Sequence, residues 1–285
     1  MTTTALSAAC LLCGSTTSRD VLLFDRPDQY EAAVGVTGEG YDRRWVQCGG
    51  CGFHYSQFSR DPKVLDTIYS SAYRGGDAGW RKASVEETFR RIVTLPESES
   101  ETKFRVRWIK ERVERIWASG LTPRPSPPYR ALDIGGATGI FAYEFQDEHW
   151  KSHVIDPDEH GRFIEEKFGI PFRQQMYAPG AFAAPFHLIS LIFALEHVSN
   201  PRGVLQSVRG DLAPGGLLYV EVPDEAAFHL KPTDDDIFNS CHLWMFGPRS
   251  LERLFEESGF DIYAFERTQT RRGHYALMAL AGRRP

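Results

Sequence analysis

The sequence has no long apolar run. No stretch approaches the roughly 18 consecutive apolar residues that a membrane-spanning helix needs, and the mean hydropathy is −0.36. The first fourteen residues have no positively charged start, and Ser7 interrupts their short apolar run, so they do not resemble a signal peptide. We therefore predict a cytoplasmic protein with no membrane partner.

An excess of positive charge is also missing. The chain has 33 Lys and Arg residues against 38 Asp and Glu residues, which gives a formal net charge of −5. A nucleic acid is therefore not expected as the main partner, because phosphate binding needs many uncompensated cations. With 285 residues, of which 42% are hydrophobic, the chain has too much core-forming surface for a disordered protein and enough length for about two folding units.

Cysteine is scarce, and its spacing is informative. Four of the five cysteines form two C-x-x-C pairs, Cys10 with Cys13 and Cys48 with Cys51. Two such pairs supply the four thiolates of a closed, tetrahedral structural zinc site. A redox C-x-x-C site, a set of buried thiols and a contribution from His54 as a ligand are weaker alternatives. Zinc in a closed site would stabilise the fold and would not activate water.

Helical patterns follow this segment. Asp61 and Pro62 predict the start of a helix that ends near Gly75, and residues 86–95 predict a second one. Residues 101–118 predict a third helix, because apolar side chains recur there at steps of three and four. The segment 121–129 then contains four prolines. We predict a zinc module at 1–58, a helical connector at 59–120, a linker at 121–129 and a larger domain at 130–285.

From residue 130 onward, short apolar runs alternate with helical segments. The runs YRALDI, SHVIDP, FHLISLIFA and GLLYVEVP predict strands, and their alternation with helices is typical of a parallel sheet. Two more strands, FDIYAFERTQT and HYALMALAG, follow each other without a helix. The predicted fold is therefore α/β, with a mainly parallel sheet and an antiparallel hairpin at one edge.

A glycine-rich turn follows the first of these strands. ALDIGGATG places Asp133 just before Gly135, Gly136 and Gly139, and Asp156 ends the next predicted strand. Such a turn brings the backbone close to a ligand, and an acid at the next strand end is placed to bind ribose hydroxyls. A carboxylate before the glycines suits a cationic cofactor such as S-adenosylmethionine better than a dinucleotide, whose pyrophosphate is anionic.

Residues 130–285 resemble the class I S-adenosylmethionine-dependent methyltransferases. ALDIGGATG matches their D-x-G-x-G-x-G motif except at Ala137, and LEHVSNP and LAPGG match later motifs; His187 stands where an Asp is usual. The resemblance implies a Rossmann-like fold with a seven-stranded sheet. It also implies cofactor-binding roles for Asp133, Gly135, Gly136, Ala137, Gly139, Asp156, Gln175, Met176 and Phe193, with ordinary burial as the alternative for the last three.

The four-cysteine module followed by this domain is similar to deoxysugar C-methyltransferases and other tailoring methyltransferases of natural products. The resemblance implies that His242 is a general base, with Cys241 in the position of a family Glu; a pocket-shaping role is the alternative. Glu196 and His197, in the EHV motif, are candidates for pocket architecture or proton transfer. The acidic run Asp234–Asp236 is expected to be a solvated loop, with a metal site, a site for a cationic acceptor or a substrate lid as the alternatives.

These observations predict a methyltransferase that acts on a small molecule, either a sugar nucleotide or a secondary metabolite, at an O, N or C acceptor atom. Its cofactors would be S-adenosylmethionine and structural zinc. A nicotinamide-dependent oxidoreductase and a non-catalytic zinc-ribbon protein with a degenerate Rossmann-like domain remain the alternatives.

Overall fold

The computed structural model describes residues 9–58, 83–183 and 185–284. The strands are β1 Ser18–Phe24, β2 Arg43–Cys48, β3 His54–Phe58, β4 Tyr129–Ile134, β5 Trp150–Asp156, β6 Phe172–Gln174, β7 Phe186–Ile192, β8 Leu212–Pro223, β9 Trp244–Met245, β10 Phe260–Gln269 and β11 Tyr275–Arg283. The helices are α1 Gln29–Ala33, α2 Val85–Val93, α3 Glu101–Ser119, α4 Ile140–Phe145, α5 Arg162–Phe168, α6 Pro201–Asp211, α7 Ala227–Leu230 and α8 Pro248–Glu257.

These elements form two compact units that are not contiguous in sequence. The first unit takes its described residues from the first 58 of the chain and from Glu196–Ser199 and Val222–Leu254. The second takes them from positions 83–195, from Asn200–Glu221 and from the chain from Phe255 onward. Among the described residues, no helix is long and apolar enough to cross a membrane.

The second unit contains a seven-stranded sheet in the order β10-β11-β8-β7-β4-β5-β6. Strands β6, β5, β4, β7 and β8 are parallel, and β10 pairs with β11 in antiparallel fashion. The central strands are buried along nearly their whole length, which explains their largely apolar sequences. The predicted α/β class, mainly parallel sheet and edge hairpin are confirmed.

Helix α3 belongs to the second unit. It begins where the Ser100 hydroxyl accepts the amide of Lys103 at 3.1 Å, and it ends at Gly120, whose φ of 77° is left-handed. The predicted apolar stripe is the packing face of the helix and includes the buried residues Trp108, Ile109, Val113, Ile116 and Trp117.

Helix α3 packs on a strand that follows the proline-rich segment. The helix precedes the proline-rich segment 121–129, yet Trp117 stacks on Trp150 of β5 with ring centroids 6.0 Å apart. Residues 222–254 group by their contacts with the first unit.

The first unit contains a four-stranded sheet in the order β1-β2-β3-β9. Its core includes Trp45, which is fully buried, together with Phe238 and Met245. The sequence patterns did not predict this sheet, because β9 has two residues and pairs with a strand nearly 190 positions earlier. The helix predicted from Asp61 to Gly75 lies outside the described residues.

Candidate active site

The loop between β4 and α4 has an unusual backbone. Gly135, Ala137 and Gly139 have φ angles of 77°, 47° and 74°, all in the left-handed region. Ala137 adopts this conformation although it has a side chain, so the loop keeps the turn that a glycine would favour there. A Cβ atom on Gly136 would lie 2.6 Å from an oxygen of Asp133. The backbone is therefore packed directly against that carboxylate.

Asp133 is held in place from a neighbouring strand. It lies near the end of β4, is buried, and accepts a hydrogen bond of 2.7 Å from the hydroxyl of Ser190 in β7. A buried carboxylate is costly unless hydrogen bonds or a cation stabilise it. The side chain thus presents a buried carboxyl group near the carboxyl edge of the sheet.

Asp156 connects the end of β5 to the same loop. One carboxylate oxygen accepts the amide of Ala137 at 2.9 Å, and the other accepts the amide of Asp158 at 2.8 Å. The side chain is fully buried. Each carboxylate oxygen has two acceptor positions, so these bonds orient the group and are compatible with ribose hydroxyls as further donors.

The other predicted cofactor residues lie beside this edge. The amide of Gln175 donates to the carbonyl of Asp156 at 3.0 Å, and the amide of Phe193 donates to the carbonyl of Glu221 at 2.8 Å. Phe193 also has a left-handed φ of 48°. Met176 is 61% exposed, so the alternative of ordinary burial is wrong for this side chain.

Two buried acids and a left-handed loop at one sheet edge fit a cofactor that carries cationic groups and a ribose. The negative charge of Asp133 would favour a sulfonium or ammonium group, and the Asp156 carboxylate would accept hydroxyl hydrogens. An anionic pyrophosphate in the same place would be repelled by both carboxylates.

A model of the methyltransferase domain family matches residues 102–264, which is more than half of the chain. The chain belongs to this family. The prediction of an S-adenosylmethionine-dependent methyltransferase is thereby confirmed. No protein with a curated description matches the sequence.

Solved structures share the fold of this methyltransferase. An S-adenosylmethionine-dependent methyltransferase from Clostridium acetobutylicum has a TM-score of 0.52 and 11% identity, with 71% of this chain and 100% of that chain covered. The 1,6-didemethyltoxoflavin-N1-methyltransferase of Burkholderia thailandensis has a TM-score of 0.54 and 13% identity over 85% and 96%. Magnesium protoporphyrin IX methyltransferase from Synechocystis has a TM-score of 0.51 and 13% identity over 77% and 100%.

Glu196, His197 and His242 come together in the first unit, although 46 positions separate Glu196 from His242 in the sequence. Their potential ligand atoms lie within 4.8 Å of one another, and all three residues are buried. The imidazole centroids of His197 and His242 are 4.8 Å apart. His197 Nε2 lies 3.8 Å from an oxygen of Glu196.

Backbone carbonyls fix the tautomer of both histidines. His197 Nδ1 lies 2.8 Å from the carbonyl of Cys241, and His242 Nδ1 lies 2.7 Å from that of Ile237. A carbonyl only accepts, so each Nδ1 donates its hydrogen and each neutral ring carries its lone pair on Nε2. Burial raises the pKa of the neighbouring Cys241 thiol, which keeps that thiol protonated and unsuited to act as a base.

The four predicted zinc ligands form one cluster. The sulfurs of Cys10 and Cys51 are 3.6 Å apart, and those of Cys13 and Cys48 are 3.4 Å apart. A tetrahedral zinc with bonds of about 2.3 Å places its sulfurs about 3.8 Å apart, so the donor set fits the ion. The alternative ligand His54 instead points Nδ1 at Glu225 at 3.2 Å.

The acidic run has a structural role in the first unit. The Asp235 side chain accepts the amide of Ile237 at 3.0 Å and begins a short 3-10 helix, and Asp236 accepts the hydroxyl of Tyr30 at 3.2 Å. Asp234 is exposed. Asp236 is exposed as well and Asp235 is half-buried, so the run is largely solvated while two of its side chains also make these hydrogen bonds.

Sequence reasoning missed a buried polar cluster in the second unit. Arg105 of α3 donates two hydrogen bonds to Glu221 of β8, one from Nε and one of 2.8 Å from Nη2, and the Tyr219 hydroxyl donates to Glu221 at 2.6 Å. One signal was present, because Arg105 shares the apolar face of its helix with Trp108 and Ile109, at steps of three and four. An arginine within an apolar stripe needs a buried partner.

Proposed function

We propose that this enzyme transfers the methyl group of S-adenosylmethionine to a sugar nucleotide or a secondary metabolite in natural-product biosynthesis, with His242 as the general base. The observation that carries the cofactor assignment is the pair of buried carboxylates, Asp133 and Asp156, against the left-handed loop. Asp133 and the loop would hold the methionine end, and Asp156 the ribose. Gln175 and Met176 would contact the adenine, and Phe193 would pack beside the cofactor.

When bound, S-adenosylmethionine supplies an electrophilic methyl group. The protein has to orient the acceptor and exclude water, and to take a proton where the acceptor atom carries one. The tautomer of His242 supports this last role, since its Nε2 lone pair accepts a proton while Nδ1 stays bound to the Ile237 carbonyl. Glu196 and His197 would orient this imidazole.

Four cysteine thiolates would hold one zinc ion in the first unit. The ion would have no open coordination position and would stabilise the predicted module at 1–58 without taking part in methyl transfer. The bounds predicted from the sequence for this module, the connector at 59–120 and the catalytic domain remain predictions.

Transfer of a labelled methyl group tests the proposed function. We expect the enzyme, incubated with methyl-labelled S-adenosylmethionine and a panel of sugar nucleotides and small metabolites, to label at least one acceptor. His242→Gln should lower the turnover of that acceptor by about 100-fold or more. His229→Gln, an exposed histidine of the same unit, should leave turnover unchanged.

The pH profile separates a base from a residue that only shapes the pocket. A base must be neutral, so wild-type turnover should fall as the pH drops and the imidazole gains a proton. His242→Gln should lose this acidic limb. Turnover of the variant within about threefold of wild type, or an acidic limb that persists in it, would show that His242 is not the base.

A further inference from the structure

A cavity of about 420 Å³ in the second unit is lined by elements that the predicted cofactor site does not use. Helix α3 contributes Phe104 and Arg105, β8 contributes Glu221, and the β10–β11 hairpin contributes Thr268–Arg271 and Met278. This volume is that of a pocket for a small organic molecule. Phe104 and Met278 provide an apolar wall, whereas the remaining side chains are polar.

Arg105 places a buried cation on the wall of this cavity. Its side chain is 8% exposed. A guanidinium has five N–H groups, and the two hydrogen bonds of Arg105 to Glu221 use Nε and Nη2. These two bonds do not use Nη1, which is the group that would donate to a molecule in the cavity. Because Glu221 fixes the other edge, the guanidinium is already oriented for a bidentate partner.

The charge around the cavity favours an anion. Arg105 is balanced by Glu221, and Glu101 at the rim is balanced by Arg272, whose Nη2 lies 3.8 Å away. Arg271 adds a further cation to the lining. The lining thus holds two arginines and two carboxylates, and Arg272, which is outside the lining, offsets the charge of Glu101. Burial opposes the charge on Arg105, but the Glu221 carboxylate outweighs that effect and raises the pKa of Arg105, so the cation persists at neutral pH.

The cavity has its own lining residues but lies close to the predicted cofactor residues. None of those residues is among its described lining. The backbone carbonyl of Glu221 nevertheless accepts the amide of Phe193 at 2.8 Å, and Phe193 follows β7, the strand next to β4. A molecule in the cavity would therefore lie along the same carboxyl edge of the sheet as the cofactor.

We propose that this cavity binds the methyl acceptor, and that Arg105 and Arg271 hold a carboxylate or phosphate group of that acceptor while Phe104 and Met278 pack against its apolar part. This proposal rests on the proposed function, because it names the class of acceptor. It makes Arg105 a specificity-determining residue that is oriented by Glu221.

Binding of small aromatic anions tests the proposal. Benzoate and phenyl phosphate serve as probes, with benzamide as the neutral control for benzoate, in titrations of the enzyme saturated with S-adenosylhomocysteine. We expect at least one anion to bind about tenfold more tightly than benzamide, because charge-assisted hydrogen bonds to a buried guanidinium are strong. The tighter of the two anions identifies the acceptor group as carboxylate or phosphate.

Paired variants locate the binding site. Arg105→Met/Glu221→Met removes the ion pair without leaving one charge buried alone, and should weaken anion binding by about tenfold or more. Arg271→Glu, a substitution in the exposed hairpin, should weaken it by at least about threefold through repulsion. Arg115→Gln, on the exposed face of α3, is the matched control and should have no effect.

Three results would overturn the proposal. The first is no binding of either anion up to about 10 mM, and the second is anion binding that neither Arg271→Glu nor the double variant weakens. In the third, the double variant loses affinity for S-adenosylhomocysteine but keeps its affinity for 5′-methylthioadenosine. Because 5′-methylthioadenosine lacks the amino-acid carboxylate, this result would mean that the cavity holds the carboxylate of the cofactor and not that of the acceptor. If the double variant does not fold, Arg271→Glu decides. Failure of wild type to bind S-adenosylhomocysteine would instead refute the proposed function.

Discussion

Asp156→Asn is expected to weaken the binding of S-adenosylhomocysteine by about 100-fold, as two hydrogen bonds to a charged acceptor are replaced or lost. In the structure, the two carboxylate oxygens accept the amides of Ala137 and Asp158. An asparagine side chain has one oxygen and one NH₂ group, so one of the two amides would face a donor in place of an acceptor oxygen. The loop would lose an anchor, and the ribose hydroxyls would lose an anionic acceptor.

Isothermal titration of the two proteins measures this effect. Glu148→Gln is the matched control, because this exposed carboxylate precedes β5 at the end of the strand opposite to Asp156. Circular dichroism should show that the Asp156 variant is folded. An affinity within about threefold of wild type would mean that Asp156 does not hold the cofactor.

The second large effect concerns the proposed zinc site. Protein purified without chelator is expected to contain about one zinc ion per chain, and Cys48→Ser should lose it, because a serine hydroxyl does not replace the thiolate of a tetrahedral sulfur site. The free energy of zinc binding to such sites is of the order of 10 kcal/mol and contributes directly to folding. We therefore expect the first unit of the variant to unfold at a much lower temperature.

The fifth cysteine provides the control for this experiment. Cys241 lies in the same unit but outside the four-sulfur cluster, so Cys241→Ser should keep its zinc. Elemental analysis gives the stoichiometry, and thermal unfolding with and without a chelator gives the stability. Less than about 0.1 zinc per chain in wild-type protein from zinc-supplemented cells would contradict the four-cysteine assignment.

The parts of the fold that are encoded locally were predicted from the sequence. YRALDI coincides with β4, and the glycines and Asp156 lie at strand ends where patterns of hydrophobicity change over a few residues. The apolar stripe of α3 identified its packing face in the same way. Each of these features depends on neighbours within about two helical turns or one strand–loop unit.

Features that depend on distant partners were not predicted. Strand β9 has two residues and gains its structure by pairing with β3. Arg105 and Glu221 are 116 positions apart, so no spacing pattern joins them. The grouping of Glu196, His197 and His242 in the first unit likewise arises from the return of residues 222–254 to the N-terminal sheet. Such contacts leave no periodic pattern in the sequence from which they could be predicted.

The identity of the cofactor is tested most directly by a comparison of two titrations. Wild-type enzyme is titrated with S-adenosylhomocysteine and, separately, with NADH. We predict saturable binding of S-adenosylhomocysteine at about one molecule per chain, and at least about 100-fold weaker binding of NADH, whose pyrophosphate would face the carboxylates of Asp133 and Asp156. Tight binding of NADH without binding of S-adenosylhomocysteine would contradict the account.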